Sequence, residues 1–205
     1  MSGSNVSYEG ASNQVETSIE IQLTNRDRKT VFFRGLLVFP AVVYIASFTQ
    51  SFEVGASFGG LLFAPALLAL LVRGVYPSYV LTFNHAVTEL GTRLASYLFI
   101  LNDEYPSIED SNVVQITYPE VDGGKSLSRG LPLIKWLFAI PLYIVGVVYS
   151  IYGFIMLIVA WFSILFTGTM PESSADAIAR VTQYWNRIYG YAVILVTDEY
   201  PSFSL

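Results

Sequence analysis

Cysteine is absent from this chain, and histidine occurs only once, at His85. Without cysteine the chain cannot form disulfides, zinc–thiolate centres, cysteine-ligated iron–sulfur clusters or a thiol nucleophile. A single imidazole also cannot make the usual multi-histidine metal site. The sequence therefore predicts no metal site, no cofactor and no catalytic residues, and we do not expect an enzyme.

Charge is scarce as well. Asp, Glu, Lys and Arg make up 13% of the residues, whereas an ordinary soluble domain carries roughly a quarter. Hydrophobic residues account for 53%, and most of them are concentrated in two long blocks. The formal net charge of −5, without a concentrated basic face, argues against a nucleic-acid partner. The composition points to a lipid bilayer as a partner instead.

The first apolar block, residues 31–72, contains two charged residues, Arg34 and Glu53. A polar interruption near its middle predicts two transmembrane spans, at about 31–49 and 58–72, joined by a short turn. We expect Arg34 to reach the membrane interface with its long side chain.

The second block, from Trp136 to Phe166, contains no charged residue. A single helix of this length, at a rise of ~1.5 Å per residue, would overshoot a hydrocarbon layer of ~30 Å. The length therefore predicts a hairpin of two spans, at about 133–149 and 152–167, with a turn near Ser150–Gly153 and Lys135 at the membrane surface. A re-entrant pair that does not fully cross the bilayer is the alternative.

Each block is followed by a segment in which apolar residues recur at spacings of three and four, the pattern of an amphipathic helix. These segments, 78–102 and 173–196, predict two helices that lie in the membrane interface. A short alternating segment also precedes each block, at Ile19–Leu23 and at 113–118. The alternation predicts two strands, which could pair as a small cytoplasmic β ribbon.

The two halves of the chain are repeats of one another. Asn-Asp-Glu-Tyr-Pro-Ser at 102–107 recurs as Thr-Asp-Glu-Tyr-Pro-Ser at 197–202, and Tyr97 falls opposite Tyr191 at nearly the same spacing. The chain thus divides into a disordered polar tail at 1–18, a first repeat at 19–107 and a second repeat at 108–205.

The basic residues predict the orientation. They precede the first and third spans, and neither predicted hairpin turn contains any. The positive-inside rule then places both termini and the central linker in the cytoplasm. The predicted fold class is an all-α, multi-pass protein of the cell (inner) membrane. Its four transmembrane helices form two parallel-related hairpin repeats, each followed by an amphipathic interfacial helix, about a pseudo-symmetry axis along the membrane normal.

Four motifs carry a family resemblance: Tyr118-Pro119-Glu120, Ser128-Arg129-Gly130-Leu131-Pro132, Phe166-Thr167-Gly168 and the tail from Thr197 to Leu205. With them the chain resembles, from about Ile19 onward, a bacterial integral-membrane family catalogued only as a domain of unknown function. The resemblance implies a membrane protein with duplicated two-span repeats and a Thr-Asp-x-Tyr-Pro-x-Phe-Ser-Leu tail, and it implies no catalytic residues. Met170 stands where that family has Tyr, and the first half is the more divergent one.

Some polar residues have two interpretations each. Basic side chains beside interfacial aromatic rings bind anionic headgroups, which makes six residues candidate lipid or partner contacts: Arg73, Arg93, Arg180, Trp185, Arg187 and Tyr189. His85 and Glu89, one helical turn apart, either transfer protons or form an ordinary pair on a helix face. The Asp-Glu-Tyr-Pro-Ser segments either form an acidic docking surface or cation site, or end helices through their prolines.

The spans carry no charge near their centres, although charges inside a membrane usually mark function. We therefore expect a non-catalytic membrane scaffold or an accessory subunit of a larger or homo-oligomeric complex, with a membrane-protein partner or a second copy. The alternative is a small channel or transporter, with a pathway between repeats or protomers that uses neutral polar side chains such as Tyr143, Tyr149 and Ser150.

Overall fold

The computed structural model describes residues 13–50, 61–109 and 111–205. These residues form one two-stranded sheet and seven α-helices. In chain order the elements are β1 (Glu16–Ile19), α1 (Arg28–Leu37), α2 (Phe39–Gln50), α3 (Phe63–Arg73), α4 (Ser78–Leu98), β2 (Val114–Thr117), α5 (Lys135–Phe138), α6 (Ile140–Thr167) and α7 (Glu172–Tyr189).

The two predicted amphipathic helices are α4 and α7, which begin directly after Pro77 and Pro171. α4 ends earlier than the apolar pattern predicts, and α7 continues as a π-helical turn, Gly190–Ile194, to nearly the predicted end. The chain reverses after each helical segment, at Ile100 and at Leu195. These two residues adopt left-handed φ angles of 58° and 66°. Such conformations cost about 1–3 kcal/mol outside glycine, and tight packing compensates, since both side chains are buried.

The strands form the ribbon that the alternating segments predict. β1 and β2 pair antiparallel, with Glu16 opposite Thr117. β1 begins earlier than predicted, inside the stretch interpreted as a disordered tail. The reason is Val15, which is buried against Gly190, where the absence of a side chain leaves room for it. Residues 1–12 of the predicted tail lie outside the described residues.

The hairpin predicted in the second block is wrong, because α6 continues through Ser150–Gly153 as one helix of 28 residues. A single glycine in a helix costs only about 1 kcal/mol, and Gly153 gives Val181 of α7 a close approach. The Ser150 hydroxyl donates to the Gly146 carbonyl inside the helix at 2.8 Å. At ~1.5 Å per residue, α6 is about 42 Å long.

The first block also differs from the prediction. α1 and α2 together form an apolar helical stretch, Arg28–Ser47, whereas α3 has 11 residues, too few at ~1.5 Å each to cross ~30 Å of hydrocarbon. The described residues thus contain two helices long and apolar enough to cross a membrane, Arg28–Ser47 and Ile140–Thr167, where four spans are predicted. The predicted turn after residue 50 lies largely outside the described residues.

The helices form layers beneath the ribbon. α6 packs along α7, α1 packs on α6, and α4 crosses α7. β1 lies on α7 and β2 lies on α4. One surface of the molecule therefore consists of α1, α5 and α6, which we call the apolar layer. The ribbon forms the opposite surface, with Gln115 and Thr117 exposed.

A pseudo-two-fold axis relates the halves. β1 and β2 are adjacent and antiparallel, and only rotation about an axis perpendicular to their sheet exchanges two such strands. Thr92 of α4 and Asn186 of α7 occupy equivalent positions in the two repeats and meet at 3.1 Å. The axis passes between them and crosses the layers.

Equivalent helix ends therefore lie at opposite ends of the molecule. At the first end, the Arg28 side chain lies against Gly168, the residue directly after α6. At the second end, the Arg129 side chain lies against Gly74, the residue directly after α3. Both glycines have positive φ, the usual conformation at a helix C-terminus.

Candidate functional site

Each half contains a buried ion pair close to the start of its apolar helices. In the first half, Arg34 of α1 donates to Asp103 Oδ1 at 2.6 Å and to the Tyr97 carbonyl at 2.7 Å. Its Cζ lies 4.3 Å from the centroid of the Tyr97 ring, a cation–π contact. Arg26 reaches the same carboxylate at 2.9 Å. Two guanidinium groups therefore share Asp103.

The second half repeats this arrangement with a lysine. Lys135 Nζ lies 2.7 Å from Asp198 Oδ1, donates to the Thr197 carbonyl at 2.6 Å, and lies 5.2 Å from the centroid of the Tyr191 ring. The backbone N–H of Ser128 donates to Asp198 Oδ2. In the first half, the equivalent N–H, that of Asp27, donates to Asp103 Oδ2 at 2.9 Å. The repeat thus preserves a cation, a carboxylate and a tyrosine ring.

Burial makes Lys135 and Asp198 depend on each other. The Lys135 side chain is fully buried, while the Asp198 side chain is 21% exposed. Burial lowers the pKa of Lys135, and the hydrogen bond to Asp198 opposes that shift. Burial alone would raise the pKa of Asp198, but the hydrogen bonds from Lys135 and from the Ser128 N–H hold it below its ordinary value.

The sequence interpretation missed the burial of Arg34 and Lys135. Arg34 does not reach the interface and Lys135 does not lie at the surface, because each turns inward to the aspartate of its own half. The aspartates of the Asp-Glu-Tyr-Pro segments thus bind cations of the protein itself. One signal was available, since Arg34 and Lys135 each stand six residues before a proline, Pro40 or Pro141.

Two of the candidate contact residues belong to the first half. Arg73, the last residue of α3, is exposed. Arg93 of α4 is buried, donates to the Glu109 carbonyl at 2.8 Å and pairs with Glu89 at 3.3 Å. Arg73 is therefore accessible to a headgroup, whereas Arg93 holds the segment that follows its own helix.

Arg180 and Arg187 of α7 bind the C-terminal segment. Arg187 donates to the Ser202 hydroxyl at 2.9 Å and to the Ser204 carbonyl at 2.6 Å. Arg180 donates to the Leu205 carbonyl at 3.4 Å and pairs with a carboxylate one helical turn away. These contacts fasten the segment along the helix.

Trp185 and Tyr189 lie where α7 faces α6 and α4. The Trp185 ring is stacked on Tyr143, and its N–H donates to the Ser150 hydroxyl at 3.0 Å. Tyr189 packs against Trp185, with the ring centroids 6.1 Å apart. Both side chains line a cavity.

This cavity lies between α4, α6 and α7 and has a volume of about 600 Å³. Small-molecule sites span ~300–1,000 Å³, so the volume suits a ligand. Its wall is mainly apolar, with Val87 from α4, Leu157 from α6 and Ile178 from α7.

His85 and Glu89 attach the ribbon to α4. His85 Nε2 lies 2.7 Å from the Ile116 carbonyl oxygen, and Glu89 accepts from the Ile116 N–H at 3.4 Å. The two side chains are 4.0 Å apart, and the His85 ring packs edge-on against Tyr118. Within the described ranges, His, Asp and Glu side chains form no group of three that could hold a metal ion.

The fold and its sites define a class: a mostly helical protein with an exposed apolar layer and a buried ion pair in each half. Residues 132–204 match the model of a family described as Domain of unknown function (DUF4389). The match covers α5 to α7 and includes Lys135 and Asp198. Comparison with curated proteins and with solved structures finds no match.

Proposed function

We propose that this chain is a non-catalytic integral scaffold or accessory subunit of the cell membrane. The exposed apolar layer carries the proposal. Only 17% of the apolar window in each candidate span is buried, unlike the core helix of a water-soluble protein. Large exposed side chains follow one another along α6, namely Ile144, Val148, Ile151, Phe154 and Phe162. An exposed apolar surface of this extent is typical of contact with a membrane or a partner.

The pairing of α6 with α7 supports a position of α6 along the plane of the membrane. Tyr184 of α7 donates to the Leu142 carbonyl near the start of α6, and Val181 packs on Gly153 at its middle. α7 carries charged side chains along its length, namely Glu172, Asp176, Arg180 and Arg187. If α6 crossed the bilayer, α7 would bring these charges into hydrocarbon at about 2.5–3.5 kcal/mol each near the centre. An in-plane pair avoids this cost.

The basic residues support the same position. Arg28 and Lys29 lie at the first end of the molecule, and Lys125 and Arg129 lie at the second end. A crossing α6 would put these groups on opposite sides of the membrane, against the positive-inside rule. In-plane immersion puts both at one anionic surface, where each contributes about 1 kcal/mol. The excess of basic residues makes the cytoplasmic surface the expected one.

Internal pairing of polar side chains supports a scaffold over a channel or transporter. The Tyr149 hydroxyl donates to the Phe203 carbonyl at 2.8 Å, and the Ser150 hydroxyl donates to the Gly146 carbonyl at 2.8 Å. Two of the three side chains named for a polar pathway, Tyr149 and Ser150, are thus already bonded within the protein. An internally bonded body with a large apolar surface suits assembly with a membrane protein or a second copy.

Single cysteines test the membrane position, because the chain has none of its own. Lys29→Cys and Lys125→Cys mark the two ends, and Phe154→Cys, in the apolar layer, is the control. We expect a membrane-impermeant maleimide to label both ends in inverted vesicles only, and the control in neither orientation. Labelling of the two ends from opposite sides would show that α6 crosses. Release of the chain by alkaline carbonate would overturn the membrane proposal.

Crosslinking in native membranes, followed by mass measurement, tests the scaffold role. We expect a defined complex larger than the single chain. A strictly solitary monomer would count against a scaffold, and flux of ions or small solutes through proteoliposomes would favour the channel.

A further inference from the structure

The cavity lies on the pseudo-two-fold axis. The axis passes between Thr92 and Asn186, and both residues are part of the cavity wall. It exists because the two repeats differ here. Gly91 and Ala95 of α4 stand at the positions equivalent to Trp185 and Tyr189 of α7. A Cβ added to Gly91 would meet no atom within 4 Å. Two small residues on α4 thus leave open a space that two aromatic residues would fill.

Six polar groups of the wall are bonded within the protein. The hydroxyl groups of four wall residues each donate to the carbonyl four residues earlier in the same helix. These residues are Thr88, Thr92, Ser150 and Thr182. The Asn186 side-chain amide donates to Thr92 Oγ1, and the Trp185 N–H donates to Ser150. These groups have partners already, so the wall favours an apolar ligand over a polar one.

The position of the cavity indicates where such a ligand comes from. Phe154 contributes to the wall and is 62% exposed on the apolar layer. The cavity therefore opens to the surface that the proposed function puts in lipid, along an axis that in-plane immersion aligns with the membrane normal. Acyl chains run along the same direction in a bilayer.

We propose that this cavity binds one acyl chain of a phospholipid from the surrounding leaflet. The inference rests on the proposed membrane position. The acyl chain enters between α4 and α6 and packs against Trp185. The headgroup of the same lipid stays with the headgroups of the other lipids. The protein contributes to binding through the shape of the cavity and through dispersion contacts, because the acyl chain leaves one apolar environment for another.

Trp185 reports on an acyl chain at this site. Trp136→Phe and Trp161→Phe leave it as the only tryptophan of the chain. This variant is reconstituted into phosphatidylcholine vesicles whose acyl chains carry bromine near their middle, since bromine quenches indole emission on contact. We expect a loss of Trp185 emission relative to vesicles of the unbrominated lipid.

Filling the cavity supplies the decisive comparison. In the same background, Gly91→Leu and Ala95→Phe are each expected to restore the emission. Gly35→Leu is the matched control, because a Cβ there also meets no atom within 4 Å and α1 does not line this cavity. Far-UV circular dichroism checks that each variant keeps its helix content. Two filling variants are used so that the comparison still holds if one of them does not fold.

The outcomes separate this inference from the proposed function. Equal quenching in the filled variants and the control would overturn the acyl-chain site, and so would absence of quenching in protein that resists carbonate extraction. The membrane proposal would survive either result. Extraction by carbonate would instead overturn the membrane proposal, and the site with it.

Discussion

Asp198→Asn removes the only ionic partner that we find for Lys135 among the described residues. The fully buried ammonium keeps its hydrogen bond to the Thr197 carbonyl at 2.6 Å. The new amide can accept from Lys135 or from the Ser128 N–H but not from both, because it has one oxygen where the carboxylate has two. Loss of one partner from a buried ion pair costs about 3–5 kcal/mol, since the remaining charge is uncompensated. We expect a fall of that size in the free energy of unfolding.

Lys135→Met should cost less, about 1–3 kcal/mol. Its partner Asp198 is 21% exposed and keeps the hydrogen bond from the Ser128 N–H, so water and backbone compensate the remaining charge. The double variant carries neither charge and should be about as stable as Lys135→Met alone. The order of the three variants therefore separates buried charge from lost packing.

Equilibrium unfolding in mixed micelles, with SDS as the denaturant and circular dichroism as the signal, measures these differences. Asp122→Asn is the matched control, because Asp122 pairs at 3.7 Å with the exposed Lys125 and an exposed pair contributes about 0–1 kcal/mol. If Asp198→Asn cost no more than this control, or if Lys135→Met cost as much as Asp198→Asn, the argument from burial would be refuted.

Three further predictions follow from the same structure. The lowered pKa of Asp198 means that its carboxylate stabilises the fold above the unfolded-state value of about 3.9, and that this stability is lost as the pH falls through the lower folded-state pKa. Acid unfolding curves should therefore be flatter for Asp198→Asn than for the unmodified chain, and parallel curves would contradict this. Ser150→Pro should cost about 3 kcal/mol or more, because it interrupts a continuous helix; a thermal unfolding midpoint that does not change would indicate a turn there instead. Gly190→Ala should cost about 1–3 kcal/mol through a clash with Val15, whereas Gly130→Ala, which meets nothing within 4 Å, should leave the midpoint unchanged.

Some of the fold could be predicted because its causes are local. Pro77 and Pro171 mark the starts of α4 and α7, since a proline restrains the residue before it and needs no N–H donor at a helix start. Alternation over a few residues indicated both strands of the ribbon. The repeat was visible because both halves keep the same Asp-Glu-Tyr-Pro-Ser residues.

Other features could not be predicted, because their causes lie elsewhere in the chain. The spacing of apolar residues is the same in one long helix as in two short ones, so the path of α6 through Ser150–Gly153 depends on the packing of Val181 against Gly153. The cavity has a similar origin. Gly91 opens a space only because α7 crosses α4 at that position.

The sequence by itself determined that the chain is apolar and mostly helical, because periodicity, proline and composition act over a few residues. Only the tertiary structure decided that Arg34 and Lys135 are buried. Lys135 looked like a surface anchor, and it is buried because packing brings Asp198 and the Thr197 carbonyl to it from the far end of the second repeat. A charge leaves water only where its partner is already in place, and that partner is supplied by the fold.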